Sequence, residues 1–325
     1  MFEHLYNKAS QKIEVINYLL DEHDKLSAAA GLIATRTEIK IFSIASSVTR
    51  LYAIYEFYVE TILSDYLDLI ADLIEYKDLS DGLKIEYRLG ISHILSRIDQ
   101  GRYKHLNHES VVNSYHAALS GGQPYQFVTD ALVRHEQNLR LNILSNLFSR
   151  LGLDDFESWA SKHLLMVEYF ELDIVPMESI ENQIKDMVDL RNDASHGEID
   201  NLVNVEIMKS NCNFVIKFLE VIRQFISTKL ITKMYSQGQI VKLGKVTESF
   251  GKNGAFILTA EKGASITKSD LVFIIESNKY SSQTIESIQL NGINLDTFKI
   301  TNDASEIGLK CPLLVKNNAV LYKEI

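Results

Sequence analysis

The chain has 325 residues, of which 46% are hydrophobic and 23% are charged, a composition typical of a globular protein large enough for two domains. Its formal net charge of −10 argues against indiscriminate binding to nucleic acid, although a local basic site is compatible with it. Cys212 and Cys311 are too few and too far apart for a disulfide framework or a cysteine metal site, so we expect no metal and no cofactor.

The sequence predicts a cytoplasmic protein that does not associate with membranes. No apolar run approaches the roughly 18 residues that a membrane helix requires, and residues 1–4 lack the features of a signal peptide. The charge is unevenly shared: residues 1–235 carry 23 Lys and Arg against 34 Asp and Glu, whereas residues 236–325 carry 10 against 9. This change indicates a domain boundary near residue 236.

From about residue 3 to residue 235, apolar side chains recur at helical spacing. The clearest helix is predicted from about residue 38 to residue 76, where one apolar stripe repeats at steps of three and four. The stripe consists of Tyr52, Tyr55, Val59, Ile62, Leu63, Tyr66, Ile70 and Leu73. Further helices are predicted at 83–98, 109–119, 130–151, 156–169, 177–193 and 204–235. Residues 1–235 are therefore predicted to form an all-α helical bundle.

After residue 236 the apolar period changes to two, which is typical of strands. Six strands are predicted, at 240–246, 255–258, 271–275, 285–290, 306–310 and 319–322. Turns such as Asn291-Gly292 separate several of them. Because closure removes exposed sheet edges, six short strands in about ninety residues predict a small antiparallel β-barrel over residues 236–325. The predicted fold class is a multidomain α and β protein.

An arginine followed four to six residues later by a histidine occurs three times, at 88–93, 102–108 and 191–196. The pattern alone is weak evidence, because chance predicts about one occurrence in a chain of this composition. The first copy crosses Gly90 inside a helical pattern, and the second lies in a predicted loop. The third copy follows a predicted helix, and Gly197 is placed to cap it, so Arg191 and His196 are expected at a helix C-terminus.

Arg191 and His196 are the residue types that metal-free cleavage of RNA requires. A neutral His196 can accept the proton of the ribose 2′-hydroxyl, and a protonated histidine can supply one to the leaving 5′-oxygen. Arg191 can hold the phosphate and stabilise the charge of the transition state. Since acid and base catalysis need two groups, we expect a two-fold homodimer that brings two copies of the motif together.

Glu56 is predicted to lie within the apolar stripe of the second helix, where a carboxylate is costly unless it is paired. Arg191 and His196 are candidate partners, and such pairing would orient the site and tune its pKa values. A structural cation such as Arg50, or one from another helix, is the alternative. The motif itself also has a structural interpretation, because a cation and a histidine near a helix C-terminus favour the helix dipole.

The helical region resembles the HEPN domain, whose hallmark is Arg, often followed by Asn, and then His. Arg191-Asn192 and His196-Gly197 match this hallmark, and residues 51–59 resemble the Tyr- and Glu-bearing helix of one prokaryotic branch. The resemblance covers about residues 40–230. It implies a metal-independent endoribonuclease that works as a dimer in toxin–antitoxin or antiviral systems, with an antitoxin or defence protein as a further partner. It assigns catalysis to Arg191 and His196, with Asn192 in support.

One departure from the HEPN toxins concerns residue 198. Some of these toxins carry a tyrosine two residues after the histidine, whereas Glu198 stands there in this chain. Regulation through modification of that tyrosine is therefore not expected. Some HEPN domains are also catalytically silent.

The tail resembles the second, β-barrel domain of elongation factor Tu and related translation GTPases. Matching stretches occur in the same order along the segment, at 244–247, 252–255, 285–289, 307–310 and 320–323. No GxxxxGK[ST] phosphate loop is present, so the resemblance implies the barrel without the GTPase. By analogy, the barrel would direct a nuclease towards tRNA or other translation RNA; a structural or dimer-supporting barrel is the alternative.

Three functional hypotheses follow. The first is an endoribonuclease that leaves 2′,3′-cyclic phosphate ends, with Arg191, His196, Asn192 and Glu56 as its site residues. The second is a non-catalytic HEPN dimer that binds RNA or protein in a regulatory or structural role. The third, a purely structural helical protein, is favoured if Arg191 and Glu56 prove remote from each other and from any interface.

Overall fold

The structure is a computed structural model that describes residues 1–29, 31, 33–121, 124–196, 204–263, 265–301 and 305–325. Within them the chain divides into two compact units. The helical unit comprises residues 2–223, and the sheet unit comprises Met1 with residues 224–325. The division falls inside the last helix, whereas the composition break near residue 236 coincides with the end of that helix. The domain boundary at 235/236 stays a prediction.

The described residues include ten α-helices and two short 3₁₀ helices before the sheet. The α-helices are α1 (Glu3–Ala29), α2 (Ile33–Leu73), α3 (Asp81–Arg97), α4 (His108–Ser120), α5 (Asp130–Val133), α6 (Leu141–Arg150), α7 (Phe156–Lys162), α8 (Leu164–Phe170), α9 (Met177–His196) and α10 (Val205–Ser236). The 3₁₀ helices are Tyr76–Asp78 and Gly101–Tyr103. Local capping explains some boundaries: Ser80 accepts a hydrogen bond from the Leu83 amide at the start of α3, and Asn107 forms a capping box at the start of α4.

Helix α2 packs against α1 and α9 through the apolar stripe that the sequence predicts. Every member of the stripe except Leu73, at the end of the helix, is at most 3% exposed. Burial of each such side chain contributes about 1.5–3 kcal/mol to stability. Helix α9 contributes Ile180, Ile184, Met187 and Val188, which are also buried at helical spacing. These two helices bring the predicted site residues into one region of the unit.

The single helix predicted over 130–151 is wrong, because residues 134–140 separate α5 from α6. Within this segment the Leu139 amide donates to the hydroxyl of Tyr52, at 2.8 Å, instead of to a helical carbonyl. The Arg140 amide donates to the Asn138 carbonyl at 2.7 Å. One tertiary hydrogen bond and one local turn have thus replaced helical hydrogen bonds. The 134–140 segment becomes an irregular connection that lies against α2.

Helices α3 and α5 pack closely because Gly90 has no side chain. A Cβ atom at this position would overlap the backbone carbonyl of Ala131. The approach of α5 to α3 therefore depends on a glycine in a helix interior, where glycine costs roughly 1 kcal/mol in helix propensity relative to alanine. The same packing fixes the start of the 134–140 segment.

The sheet unit contains ten described strands, all paired antiparallel. They are β1 (Ile240–Phe250), β2 (Ala255–Ala260), β3 (Ser265–Thr267), β4 (Leu271–Glu276), β5 (Lys279–Thr284), β6 (Ser287–Leu290), β7 (Ile293–Leu295), β8 (Thr297–Lys299), β9 (Ser305–Lys310) and β10 (Val320–Glu324). Eight form one sheet in the order β5-β4-β10-β1-β2-β9-β6-β7, and β3 pairs separately with β8. The predicted Asn291-Gly292 turn is confirmed: both residues have positive φ, and the turn joins β6 to β7.

The predicted closed barrel is wrong for the described residues, since the eight-stranded sheet is open, with β5 and β7 as its edges. The expectation of closure rested on the need to cover the apolar face of the strands. Here the separate β3–β8 pair and the loops between strands cover that apolar face. Ile266 of β3 and the loop residues Ile285, Ile300 and Val315 are all at most 1% exposed within the sheet core. The resemblance of the tail to the elongation-factor barrel is not confirmed.

Candidate active site

Helix α9 carries the predicted motif in its last two turns. Its buried stripe leaves Arg191 and Asn192 half-buried and His196 exposed at the final position of the helix. The Ser195 hydroxyl donates to the Arg191 carbonyl at 2.9 Å, a bond that follows the helical spacing. The motif therefore occupies the last described residues of α9; because Gly197 and Glu198 lie outside the described residues, the helix C-terminus that the sequence predicts there stays a prediction.

Arg191 is held against α2 by an aromatic ring. Its guanidinium carbon lies 5.0 Å from the centroid of the Tyr52 ring, an arrangement that contributes about 0.5–2 kcal/mol. One terminal nitrogen donates to the Asn192 side-chain oxygen at 3.1 Å. The Nε atom is buried and has no hydrogen-bond partner among the described residues. Arg191 is therefore oriented by stacking while part of its donor capacity stays unused.

Tyr52 connects Arg191 to the predicted carboxylate. The ring is only 2% exposed, and its hydroxyl donates to the Oε1 atom of Glu56 at 3.0 Å while it accepts from the Leu139 amide. Burial is the main reason that the pKa of Tyr52 lies well above its ordinary value, so the hydroxyl remains a neutral donor. Tyr52 thus serves at once as a platform for Arg191 and as a donor to Glu56.

Glu56 does not pair directly with either motif residue. Its direct hydrogen-bond partner is Tyr52, and its nearest cationic group is His135, whose Nε2 atom lies 3.9 Å from Glu56 Oε1. Among the described residues, neither Arg191 nor His196 forms an ion pair with this carboxylate. Glu56 and Arg191 are neighbours that share Tyr52, which differs from the direct pairing considered from the sequence.

Asn192 joins α9 to the 134–140 segment. Its side-chain oxygen accepts hydrogen bonds from Arg191 and from the Asn138 amide group, each at 3.1 Å. One turn earlier on α9, Asp189 accepts a hydrogen bond of 2.6 Å from Arg140. The 134–140 segment is therefore hydrogen-bonded to α9 at two positions, and Asn192 is the motif residue that it contacts.

His135 is a site residue that the sequence analysis missed. Its Nε2 atom lies 3.0 Å from a Glu60 carboxylate oxygen, and its Nδ1 atom lies 2.8 Å from the Gln137 carbonyl oxygen. Both neighbours are acceptors, so both ring nitrogens must donate and the ring is an imidazolium. The hydrogen bond to Glu60 raises the pKa of His135 above its ordinary value, against the opposing effect of burial.

Apolar residues recur at helical spacing in α5 and again in α6, so the sequence predicted one continuous helix and His135 was not recognised. The available signal was the polar run of residues 134–138 inside that periodic segment. A run of five polar residues would place charge on the core face of a continuous helix. This conflict between the polar run and a continuous helix could have predicted a break and a polar network there.

His196 stands apart from this network. It is exposed and makes no hydrogen bond or ion pair with any residue that the structure describes. In a regular helix, residues five positions apart differ by about 140° in direction and by about 7.5 Å along the axis. Arg191 and His196 therefore face different sides of α9. One chain supplies an ordered arginine and a free imidazole, but not two catalytic groups that converge.

The remaining chemical groups give context for the site. Burial raises the pKa of Cys212 and that of Cys311 to about 12, so both thiols are protonated near neutral pH. Within the part of the chain that the structure describes, no three His, Cys, Asp or Glu side chains are grouped to hold a metal ion. No described helix has the length and apolar content needed to cross a bilayer.

A helical bundle with Arg-Asn and a histidine in the last turns of one helix is the arrangement typical of HEPN domains. The family model described as RiboL-PSP-HEPN matches residues 10–228, and the chain belongs to this family. No curated protein matches the chain significantly. Membership indicates an RNA-related function; HEPN domains are often nucleases, and dimerisation is typical of them.

Proposed function

We propose that this protein is an endoribonuclease that cleaves RNA without a metal ion and acts as a homodimer. The observation that carries the proposal is the state of Arg191, which is stacked on Tyr52, fixed by Asn192 and paired with no carboxylate among the described residues. Its charge is therefore available to an anion, and a phosphate oxygen is a fitting acceptor for a guanidinium. His196 is exposed five residues further on, on a different side of α9.

The reaction uses the substrate's own nucleophile. A neutral His196 takes the proton from the ribose 2′-hydroxyl, a bond forms between the 2′-oxygen and phosphorus, and the bond between phosphorus and the 5′-oxygen breaks. A protonated histidine gives its proton to that 5′-oxygen. The products carry a 2′,3′-cyclic phosphate and a 5′-hydroxyl. Arg191 stabilises the charge on the non-bridging oxygens as the transition state forms.

Dimerisation supplies the second histidine. A two-fold axis near the end of α9 brings each His196 towards its symmetry mate, so one imidazole acts as base and the other as acid. In this proposal Asn192 orients the guanidinium, and Glu56 acts through Tyr52 as a positioning residue. The direction of the Arg191 side chain, away from its own His196, supports a site that two chains complete.

The biological setting follows from the family resemblance alone. We propose a toxin or antiviral effector, controlled by an antitoxin or defence-system partner, with tRNA or other translation RNA as its target. The choice of target rests on the sequence similarity of the tail alone, because the described sheet is open and not a closed barrel.

The test is cleavage of a labelled RNA by the purified full-length chain in the presence of EDTA, with analysis of the new 3′ ends. Wild type should give 2′,3′-cyclic phosphate ends, and His196→Ala should lower the rate by about 10²–10⁴-fold, the usual contribution of an acid–base group. His108→Ala is the matched control, because His108 ends another copy of the Arg-to-His pattern and is also exposed. Equal cleavage by wild type and His196→Ala would refute the proposal.

The second candidate is a HEPN dimer that binds RNA or protein without cutting. The observation that favours it is that no described side chain orients His196, whereas catalytic imidazoles are usually oriented by a hydrogen bond. In that case wild type and His196→Ala bind RNA or a protein partner equally, and neither cuts RNA.

A further inference from the structure

Arginine is concentrated in one region of the helical unit. Of the ten arginines in the chain, Arg191 and five others lie on elements that meet at the 134–140 segment. We call these five the arginine surface: Arg97, Arg102, Arg134, Arg140 and Arg150. They come from the ends of α3 and α6, the second 3₁₀ helix and the segment itself.

Backbone carbonyls hold three of these guanidinium groups. Arg102 donates to the His135 carbonyl, Arg134 donates to the Ala131 carbonyl, and Arg150 donates to the Arg134 carbonyl at 2.8 Å. A carbonyl orients a guanidinium but does not neutralise its charge. These bonds therefore fix the side chains and leave their positive charge available.

Carboxylates neutralise this charge only in part. Glu136 pairs with Arg97, and Asp189 pairs with Arg140 at 2.6 Å. The Glu60 carboxylate lies 3.6 Å from Arg102 but is also bound by the His135 imidazolium, and the separation between Glu86 and Arg150 is 3.8 Å. With Glu56, which lies 3.9 Å from the His135 Nε2 atom, five carboxylates are shared by five arginines and one imidazolium. The local balance is thus positive in a chain whose net charge is −10.

This positive charge lowers the pKa values of two neighbouring groups. The pKa of His93 is lowered first by burial and then by Arg97 and Arg134. The pKa of Arg134 is likewise lowered by burial and then by Arg150. Arginine crowding of this kind opposes further positive charge and favours an anion.

The surface is accessible, and its composition favours RNA over protein. Arg97, Arg102 and Arg140 have side chains that are 41%, 43% and 38% exposed. No large apolar side chain is exposed in residues 90–107 or 124–150, all of which the structure describes. The core of a protein interface is usually apolar and aromatic, whereas a phosphate backbone needs guanidinium groups and little else.

We propose that the arginine surface binds the phosphate backbone of an RNA strand and leads it to Arg191. The inference rests on the proposed function, since it takes RNA to be the substrate. Continuity comes from the 134–140 segment, which holds Arg140 against Asp189 and Asn138 against Asn192 of the motif helix. Phosphates on the arginine surface would thus place a neighbouring phosphate near the half-buried Arg191 guanidinium.

The test measures binding separately from cleavage. A short labelled single-stranded RNA is titrated against His196→Ala and against the same protein with Arg102→Gln and Arg140→Gln, over a range of salt. Each phosphate contact contributes about 0.7 to the slope of log Kd against log salt, so the double change should lower the slope by about 1.4 and weaken low-salt binding at least roughly tenfold. Arg102→Lys with Arg140→Lys should keep most of the slope, because the charge remains. Arg36→Gln, on the exposed start of α2, is the control and should change nothing.

The outcomes are distinct. Unchanged affinity and slope in the Gln pair, with circular dichroism and melting temperature preserved, overturn the arginine surface even if wild type cuts RNA. Weakened binding with no cleavage by wild type keeps the surface and defeats the proposed nuclease. If a polyglutamate peptide binds as tightly as RNA and depends on the same arginines, the surface is a docking site for an acidic protein and the proposal is wrong.

Discussion

The helical unit and the sheet unit use their polar side chains differently. In the sheet unit the main core is apolar, and polar groups serve the connections between strands. Gln283 accepts from the Leu313 amide at 2.8 Å, and Asp270 pairs with Lys323 of β10 at 2.5 Å. In the helical unit a connected polar network lies beside a buried tyrosine and ends at an arginine with an unused donor.

This difference separates the side chains that stabilise the fold from those that form the proposed active site. A sheet gains stability from apolar burial, and its polar groups need only satisfy the backbone. The network of the helical unit adds less stability, because its ion pairs at the surface contribute about 0–1 kcal/mol each and a hydrogen bond such as that of Tyr52 about 0.5–1.5 kcal/mol. It also gives Arg191 a fixed geometry. A substitution in the sheet core should therefore mainly lower stability, whereas a substitution in the network should also slow RNA cleavage.

The largest expected effect on stability belongs to the sheet core. Phe256→Ala removes a ring that is 0% exposed, and it should lower the free energy of unfolding of the sheet unit by about 3–5 kcal/mol. Leu271→Ala, at a strand position that is 50% exposed, should cost far less. Urea denaturation followed by circular dichroism measures both. Equal losses in the two variants would contradict the assignment of the core.

Tyr52→Phe tests the network with the smallest change of volume. It leaves the Leu139 amide without its acceptor and Glu56 without its donor, so it should destabilise the helical unit by about 1–3 kcal/mol and slow RNA cleavage. Tyr55→Phe is the matched control, because the Tyr55 hydroxyl is buried without a hydrogen-bond partner among the described residues. That variant should be neutral or stabilising. A pair of variants with the same stability and the same cleavage rate would show that Tyr52 does not position the site.

His135→Gln gives a smaller effect that depends on pH. The folded-state pKa of His135 is raised by Glu60, so protonation stabilises the fold. The contribution, on the order of 1 kcal/mol, is fully present below the ordinary pKa of about 6.5 and is lost as the pH rises through the folded-state value. The gap in melting temperature between wild type and His135→Gln should therefore narrow from pH 6 towards alkaline pH. A gap that widens in that direction would exclude the imidazolium.

How well each element can be predicted from the sequence depends on whether local or long-range interactions determine it. The stripe of α2 and the Asn291-Gly292 turn follow local periodicity and turn chemistry, and the sequence predicts both. The 134–140 segment is set by long-range hydrogen bonds to Tyr52 and Asn192. Periodicity carries no information on such bonds, so the role of His135 was not predicted.

The open sheet has a similar explanation. Alternating apolar residues indicate that one face of each strand is covered, but they do not indicate what covers it. In this chain Ile266 and the loop residues Ile285 and Ile300 complete the core. The three-residue strands β3, β7 and β8 are too short for a period of two to stand out. Closure was inferred from a strand count that omitted these three and also β5, whose residues 279–284 are mostly polar.

The central claim is that two copies of the α9 end act together, and a mixing experiment tests it most directly. Wild type and His196→Ala are combined in equal amounts, subunits are allowed to exchange, and the rate of RNA cleavage is measured at constant total protein. If each reaction needs a histidine from both chains, only wild-type dimers are active and the rate falls to about a quarter of the wild-type rate. A rate of about half, as expected for independent sites, or an absence of cleavage by wild type itself, would contradict the account.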